Sequence, residues 1–283
     1  MEKSRFCQEK ERELKERAQQ IYSSLRFQDD FLFCKIMTER PDLAKELLEL
    51  ILGVKIREVV PHRQKPIEIT ADGRGIRLDV YLDDQAGTVY DLEMQTTRQS
   101  FLPKRSRYYQ GMIDLDLIGR GAKFSELKRT YIIFICMEDP FSSGRHIYSF
   151  ENTCRQEPGL LLGDEAYKIF LNASGIRDDV SENLKDFFRF LLTGKGETDL
   201  SRKLGEEVEK ARTHREWRLE FMTLFMRDEE KREEGRAEGR EAERRKAVRS
   251  LVLNGVDMTF ILKLGYTAEE YEAAISNPLE NGE

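Results

Sequence analysis

The stretch RLDVYLDDQAGTVYDLEMQ, from Arg77 to Gln95, is the most informative part of the sequence for predicting the fold. Apolar and polar residues alternate on both sides of its centre, DDQAG, which is rich in turn-forming residues. Alternation with a period of two around such a centre predicts a β-hairpin with one apolar face. The opposite face of the second strand carries Asp91, Glu93 and Gln95, and it is unusually acidic for a pair of strands.

The register of this hairpin determines which acids meet. If the loop has an odd number of residues centred near Ala86, Asp79 lies opposite Glu93 and Arg77 lies opposite Gln95. Like charges that face each other across a sheet are destabilising. A bound cation would remove this repulsion, and Mg²⁺ prefers carboxylate oxygens. The hairpin therefore predicts a metal-dependent active site, and the alternative interpretation is a solvated polar face with a few acids.

Composition excludes several classes of protein. The chain has 283 residues, 39% of them hydrophobic and 35% charged, and a net charge of −6. This length suits about two domains, or one domain with extensions. The acidic balance leaves nucleic-acid binding to local patches. Because no run of about 18 apolar residues occurs and residues 1–20 lack an apolar signal core, we expect a cytoplasmic protein without a membrane span.

Cysteine and histidine usage gives no sign of a zinc site. Cys7, Cys34, Cys136 and Cys154 are widely separated and lack the spacing of metal ligands. We interpret them as reduced thiols of a cytosolic protein. The three histidines are not clustered, which argues against a site built from histidine ligands.

Helical and strand-like patterns alternate through the first two thirds of the chain. The run TYIIFICM, from Thr130 to Met137, is almost continuously apolar, which is typical of a central strand covered on both faces. Further strands are predicted at residues 67–70, 145–152 and 166–172, and helices at 31–40, 41–52, 100–118 and 181–192. Together these elements predict an α/β fold with a mixed sheet flanked by helices.

The C-terminal third has a different character. Residues 203–246 are strongly charged, and their repeat EEGRAEGRE includes two glycines, each of which costs a helix about 1 kcal/mol relative to alanine. We interpret this stretch as a solvated helix or a flexible connector. The three short helices that follow resemble a helix-turn-helix, and we favour a small docking module over a DNA reader. The predicted parts are a helical leader at 1–25, a core domain at 26–196, a charged connector at 197–246 and a helical module at 247–283.

The acidic face of the hairpin points to hydrolysis of a phosphodiester. Carboxylates on adjacent strands can hold one or two Mg²⁺ ions, which lower the pKa of a bound water and neutralise charge on a phosphate. Gln95 shares the face of Glu93 and can orient a water or a phosphate by hydrogen bonds, whereas a lysine could stabilise charge directly. Asp91 is either a further metal ligand or a neighbouring acid that changes the electrostatic field at the metal.

The helix after the hairpin is basic and aromatic at its start. Lys104, Arg105 and Arg107 lie in its first two turns, close to Tyr109. Arg105 and Tyr109 are four residues apart, so one side of the helix can present a cation and a phenol to a DNA phosphate. The alternative interpretation is a solvated basic face with a tyrosine in the core.

Four segments carry a resemblance to a known family. FQDDFLFCKIM at 27–37, IRLDVYLDDQAGTVYDLEMQ at 76–95, the run from 102 to 141, with RSRYYQ and YIIFIC, and the Gly-rich charged tail resemble the PD-(D/E)XK nuclease superfamily. More closely, the chain resembles the Rpn family of recombination-promoting nucleases, also labelled putative transposases. The resemblance extends to about residue 195. It implies a restriction-endonuclease-like fold with a helical C-terminal extension and a Mg²⁺-dependent DNA endonuclease in which Mn²⁺ can substitute. It also implies a link to DNA recombination or mobile elements.

The resemblance also assigns roles to residues. Asp79 and Glu93 stand where the superfamily has metal ligands, and Gln95 stands where it usually has a lysine. Gln95 cannot supply the positive charge of that lysine, and Arg105 or Lys104 could supply it in part. The superfamily often adds an acid from a helix, for which helical spacing does not choose between Glu46 and Glu49.

Two other functions remain open at this point. One is a DNA-binding protein of the same fold that has lost efficient cleavage. The other is an interaction protein in which the charged helix and the terminal helices assemble a homodimer or a higher oligomer. The presence of the motif residues favours the endonuclease over both.

Overall fold

The computed structural model describes residues 2–62, 66–67, 75–119 and 121–276, and it divides the chain into two compact units. The larger unit is Ile21–Arg218, and the smaller unit combines the residues before Ile21 with those after Arg218. The described helices are α1 (Glu2–Ser24), α2 (Asp30–Glu39), α3 (Pro41–Leu52), α4 (Leu102–Leu117), α5 (Glu182–Thr193), α6 (Asp199–Thr213), α7 (Arg215–Leu253), α8 (Met258–Lys263) and α9 (Ala268–Ser276). None of them is long and apolar enough to cross a membrane.

The larger unit is built on a mixed sheet. Its strands are β1 (Val59–His62), β4 (Val80–Asp84), β5 (Val89–Gln95), β6 (Thr130–Cys136), β7 (Ile147–Phe150) and β8 (Ala166–Asn172), and β2 (Pro66–Ile67) pairs separately with β3 (Ile76–Arg77). The order of the six-stranded sheet is β1-β4-β5-β6-β8-β7. Strands β5, β6 and β8 run parallel, and the outer pairs are antiparallel. The predicted mixed sheet flanked by helices is confirmed.

The hairpin has the register that the sequence predicts. Val80 pairs with Leu92 and Asp83 with Val89, so the turn is centred on Ala86. Gly87 occupies the turn with φ +82°, a conformation that residues with a Cβ rarely adopt. Asp79 immediately precedes β4, and continuing the register by one residue places it opposite Glu93.

Arg77 departs from the hairpin prediction. It lies in β3 and pairs with Pro66 instead of facing Gln95, because the chain leaves the β4–β5 ladder before Val80. The prediction of an Arg77–Gln95 pair is therefore wrong.

The other strand predictions differ in accuracy. Strand β8 has the predicted bounds, β6 ends one residue early, and β7 is shorter than the predicted 145–152. Of the strand predicted at 67–70, residues 68–70 lie outside the described residues. The pattern did not indicate β1, which is short and contains Pro61, a residue that strands tolerate mainly at a sheet edge.

Helix α4 covers the face of the sheet that carries the acids. Pro103 lies in its first turn, where a missing N–H costs nothing. Its buried residues Leu102, Tyr109, Met112 and Ile113 pack in one cluster with apolar side chains of β6 and β8, including Ile132, Phe134 and Phe170. The rings of Phe134 and Phe170 stack with centroids 5.3 Å apart. Because strand residues alternate between faces, Asp91, Glu93 and Gln95 lie under the same helix.

The smaller unit is helical. Lys10 and Arg17 of α1 pair with Glu233 and Glu229 of α7, at 2.6 and 3.9 Å. Helix α7 runs for 39 residues without interruption through the EEGRAEGRE repeat, so the charged stretch is a solvated helix there. Thr267 and Glu270 form a reciprocal cap at the start of α9.

Candidate active site

Asp79 and Glu93 meet at the α4 side of the hairpin. The backbone N–H of Asp79 donates a hydrogen bond to Oε1 of Glu93 (3.0 Å), and the N–H of Met94 donates to Oδ2 of Asp79 (3.2 Å). Each carboxylate is thus held by the backbone of the opposite strand. The hairpin fixes the orientation of both groups without needing another element.

The acidic face is buried. Glu93 and Asp91 are 0% exposed and Gln95 is 6% exposed, because α4 packs across them. Asp79, at the end of the ladder, is half-buried. The alternative interpretation of a solvated polar face is therefore wrong for these residues.

Burial and crowding disfavour negative charge in this group. Burial, together with the repulsion of Asp30, raises the pKa of Asp79 to about 7, although the hydrogen bond from Met94 opposes the shift. The pKa of Glu93 is raised well above its usual value by burial and by the charges of Asp91 and Asp79. A divalent cation at this point would reverse both effects, since it favours the ionised carboxylates.

Asp91 is the most isolated of the acids. Burial, then the repulsion of Asp79, raises its pKa well above the usual value. Neither of its oxygens has a hydrogen-bond partner among the described residues. An unpartnered buried carboxylate is costly, so a cation nearby would offset a penalty that the charge of Arg105 opposes only in part.

Replacing Asp91 by asparagine tests this cost. We expect Asp91→Asn to raise the melting temperature of the metal-free protein by about 2–4 °C, which corresponds to roughly 1 kcal/mol for a unit of this size. The reason is that burial and the charge of Asp79 oppose the ionisation of Asp91, and asparagine does not ionise. Thermal unfolding followed by circular dichroism in EDTA at pH 8 measures it, with the exposed Glu157→Gln as control. An unchanged or lower melting temperature would contradict the expectation.

Helix α2 contributes a residue that the sequence did not reveal. Asp30, Cys34 and Asp79 each offer one ligand atom, and these atoms lie within 4.8 Å of one another. Asp30 begins α2, and α2 packs against β4. The segment FQDDF held the residue, but no spacing rule links it to Asp79, which lies far away in the sequence.

Glu46 and Glu49, the helix acids considered from the sequence, make other contacts. Glu46 pairs with Lys203 of α6 at 3.2 Å. Glu49 pairs with Lys55 at 2.9 Å and accepts the N–H of Ile56. Neither belongs to the group around Asp79, and Asp30 is the acid on a helix that the structure places beside it.

Arg105 of α4 reaches into the acidic group. Its Nη2 donates to Oε2 of Glu93 at 2.6 Å, its Nη1 donates to Oε1 of Gln95 at 3.2 Å, and its Nε donates to the phenolic oxygen of Tyr109 at 2.8 Å. The guanidinium also lies over the rings of Tyr109 and Phe134, 4.8 and 5.6 Å from their centroids. Burial lowers the pKa of Arg105, but Glu93 and Tyr109 outweigh it and the pKa is raised.

The four phosphate-binding candidates on α4 separate into two pairs. Arg105 and Tyr109 face the acidic group, and burial followed by the charge of Glu93 raises the pKa of Tyr109 to about 12. Lys104 and Arg107 are exposed, and Lys104 lies 5.8 Å above the ring of Phe101. The helix thus presents one cation to the site and two to solvent.

A mixed sheet flanked by helices, with an acidic hairpin under α4, places the chain in the class of α/β proteins with a restriction-endonuclease-like fold. The profile of the PD-(D/E)XK nuclease family transposases matches residues 27–191, more than half of the chain, and the chain belongs to that family. The resemblance expected from the sequence is thereby confirmed. No curated protein and no solved structure matches the chain. Membership supports a nuclease-type function, and PD-(D/E)XK nucleases generally use divalent metals.

The residues present fit such a metal. Asp79 and Asp30 provide the hard oxygen donors that Mg²⁺ and Mn²⁺ prefer, and Cys34 adds a softer donor. Glu93 is a further carboxylate beside this group, since it accepts the backbone N–H of Asp79.

Proposed function

We propose that this protein is a metal-dependent DNA endonuclease that hydrolyses phosphodiester bonds, with Mg²⁺ as the metal and Mn²⁺ as a substitute. The observation that carries the proposal is the pair of the half-buried Asp79 and the buried Glu93, each held by the backbone of the opposite strand beside the cation of Arg105. The transposase description of the family extends the proposal to a role in DNA recombination or mobile elements.

In this proposal Asp79 and Glu93 hold the metal, and Asp30 is a further ligand. A metal held by these residues would lower the pKa of a bound water and neutralise negative charge on the phosphate. In the hydrolysis, the oxygen of a water molecule forms a bond to phosphorus and that water releases a proton to solvent. One phosphorus–oxygen ester bond breaks, and the leaving oxygen takes a proton from solvent. Gln95, two residues after Glu93 on β5, is the last residue of the Asp79, Glu93 and Gln95 motif.

DNA is held by local basic groups. Arg105 and Tyr109 face the acidic group, whereas Lys104 and Arg107 contact the flanking phosphates from the exposed side of α4. Since the chain as a whole carries a charge of −6, binding depends on this patch and weakens steeply with salt.

Cleavage of supercoiled plasmid tests the proposal. The wild type is expected to nick DNA with Mg²⁺ or Mn²⁺ but not with Ca²⁺ or EDTA. We expect Glu93→Gln to be at least about 1000-fold slower, because it removes a metal-binding charge from the reaction centre. Glu157→Gln, an exposed glutamate in the β7–β8 connection, is the matched control and is expected to cut like the wild type.

Each outcome has a consequence. Equal cutting by wild type and Glu93→Gln would indicate a contaminating nuclease and would remove the evidence for this site. A wild type that binds DNA but does not cut with any of these metals would replace the proposal with a non-catalytic DNA-binding relative. Light scattering on the same samples determines whether the chain forms a homodimer or a higher oligomer.

A further inference from the structure

We infer that Arg105 supplies from helix α4 the positive charge that Gln95 does not supply. Gln95 acts as a positioning residue that holds the guanidinium of Arg105. The inference rests on the proposed nuclease function. It assigns separate roles to two side chains: Arg105 contacts the phosphate under attack, and Gln95 holds Arg105 at the place where it can do so.

The hydrogen bonds of Gln95 carry the second part of this inference. Its Oε1 accepts from Nη1 of Arg105 at 3.2 Å, and its Nε2 donates to the carbonyl oxygen of Met94 at 2.9 Å. Both ends of the amide are therefore engaged with the protein. With 6% exposure the side chain has little surface left for a substrate, which favours a role in holding Arg105.

The environment of Arg105 fixes its guanidinium on one side and leaves it open on the other. Its three nitrogens donate to Glu93, Gln95 and Tyr109, Nη1 donates a second, longer bond to Oε1 of Gln99 at 3.5 Å, and the rings of Tyr109 and Phe134 lie against its plane. The side chain is still 28% exposed. A planar cation held in this way presents the remaining N–H of Nη2 to an incoming phosphate with little loss of conformational entropy.

The position of the cation suits charge stabilisation in the reaction. Arg105 touches Glu93, a proposed metal ligand, so a phosphate bound at the metal lies within reach of the same guanidinium. Arginine keeps its charge at every working pH. A fixed cation that meets charge as it develops is worth about 100-fold or more in rate.

The same contact has a consequence for metal binding. Nη2 of Arg105 donates to Oε2 of Glu93 at 2.6 Å, so the guanidinium neutralises this carboxylate and competes with a divalent cation for it. Removing the positive charge should therefore tighten metal binding. This effect can be measured without DNA and without turnover.

A relocation of the cation tests the inference. Arg105→Gln is expected to cut plasmid about 100-fold more slowly than the wild type. Adding Gln95→Lys to it returns a cation to β5, and the double variant is expected to regain at least tenfold over Arg105→Gln. Arg105→Lys keeps the positive charge, and its cleavage rate is expected to lie between those of the wild type and Arg105→Gln. Arg129→Gln, which removes an exposed arginine paired with Glu165, is the matched control with wild-type cleavage.

Two results would overturn the inference: cleavage by Arg105→Gln within threefold of the wild type, or a folded double variant that is no faster than Arg105→Gln. Circular dichroism confirms folding of each variant. Because Arg105→Lys retains a partner for Glu93, it decides the question if Arg105→Gln does not fold. Cleavage by Arg105→Lys as slow as that of Glu93→Gln would then count against a role for charge at this position.

Calorimetric titration with Mn²⁺ in the absence of DNA gives an independent result. We expect Arg105→Gln to bind Mn²⁺ about tenfold more tightly than the wild type, and Arg129→Gln to bind like the wild type. Equal or weaker binding by Arg105→Gln would show that Arg105 does not compete at Glu93. A wild type that binds Mn²⁺ but cuts no DNA removes the proposed function, whereas a wild type and an Arg105→Gln variant that cut equally remove only this inference.

Discussion

Asp79→Asn is expected to lose DNA cleavage by at least about 1000-fold and, at the same time, to make the metal-free protein more stable. The loss follows because Asp79 is one of the two carboxylates that the hairpin offers to a metal. The gain follows because the pKa of Asp79 is raised to about 7 by burial and by the repulsion of Asp30, so that ionising this carboxyl at pH 8 opposes folding. Asparagine can still accept the N–H of Met94 with its side-chain oxygen.

Two measurements on one variant check this expectation. Plasmid cleavage with Mg²⁺ gives the first, and the melting temperature in EDTA at pH 8 gives the second, with a rise of about 2–4 °C expected. Asp83→Asn is the matched control, because Asp83 lies on the same strand but pairs with His62 away from the acidic group. Cleavage that survives in Asp79→Asn, or a melting temperature that falls, would show that Asp79 is a structural acid.

Asp186→Asn is expected to lower the free energy of unfolding by about 3 kcal/mol, the largest effect on stability that we predict. Asp186 of α5 is 6% exposed and accepts the N–H groups of Glu197 and Thr198, each at 2.9 Å, and the Thr198 hydroxyl at 2.7 Å. It also pairs with Arg189. These bonds join the first half of α5 to the residues that lead into α6.

The backbone approaches its neighbours closely at this junction. A Cβ on Gly196 would collide with Ser201 and come within 3.1 Å of Asp186, so the turn between α5 and α6 requires glycine at this position. Asparagine at position 186 replaces one acceptor oxygen of the carboxylate by an N–H₂ group, which is itself a donor. The donors of Thr198 and Glu197 are then left without a full set of acceptors.

The contribution of Asp186 also depends on pH. Burial raises its pKa, but the hydrogen bonds from Thr198 and Glu197 outweigh burial and lower the pKa below its ordinary value. The stabilisation is therefore present above about pH 4, the pKa of an unfolded aspartate, and is lost as the pH falls toward the folded value. Urea unfolding at pH 7 and at pH 3 should show the difference between wild type and Asp186→Asn shrink at the lower pH. Asp178→Asn, whose exposed carboxylate pairs with Lys185, is the control and is expected to show no measurable change.

Local periodicity was sufficient to predict the strands that position Asp79, Glu93 and Gln95. The alternation around Ala86 predicted the hairpin register, and the apolar run from Thr130 to Met137 predicted a central strand, which β6 is. Both patterns act between neighbours in the sequence, so the sequence alone carries them. Strand β1 was missed because four residues with a proline give no periodicity to detect.

The candidate site itself was predicted only in part. The period of two places Asp91, Glu93 and Gln95 on one face, but it does not determine whether that face meets water or a helix. Asp30 was missed, and acids of α3 were considered in its place, because the distance between α2 and β4 depends on how the helices pack and not on spacing along the chain.

The alternation and the motifs of the sequence were sufficient to predict the family, the hairpin and the two carboxylates that face each other across it. The packing of helices on the sheet was needed to show that Glu93 is buried and Asp79 half-buried, that Asp30 lies beside Asp79 and that Arg105, rather than Lys104, turns toward Glu93. The reason is physical: alternation and helical period fix the face on which a side chain lies. The packing of α4 on Phe134 and of α2 on β4 fixes what that face meets.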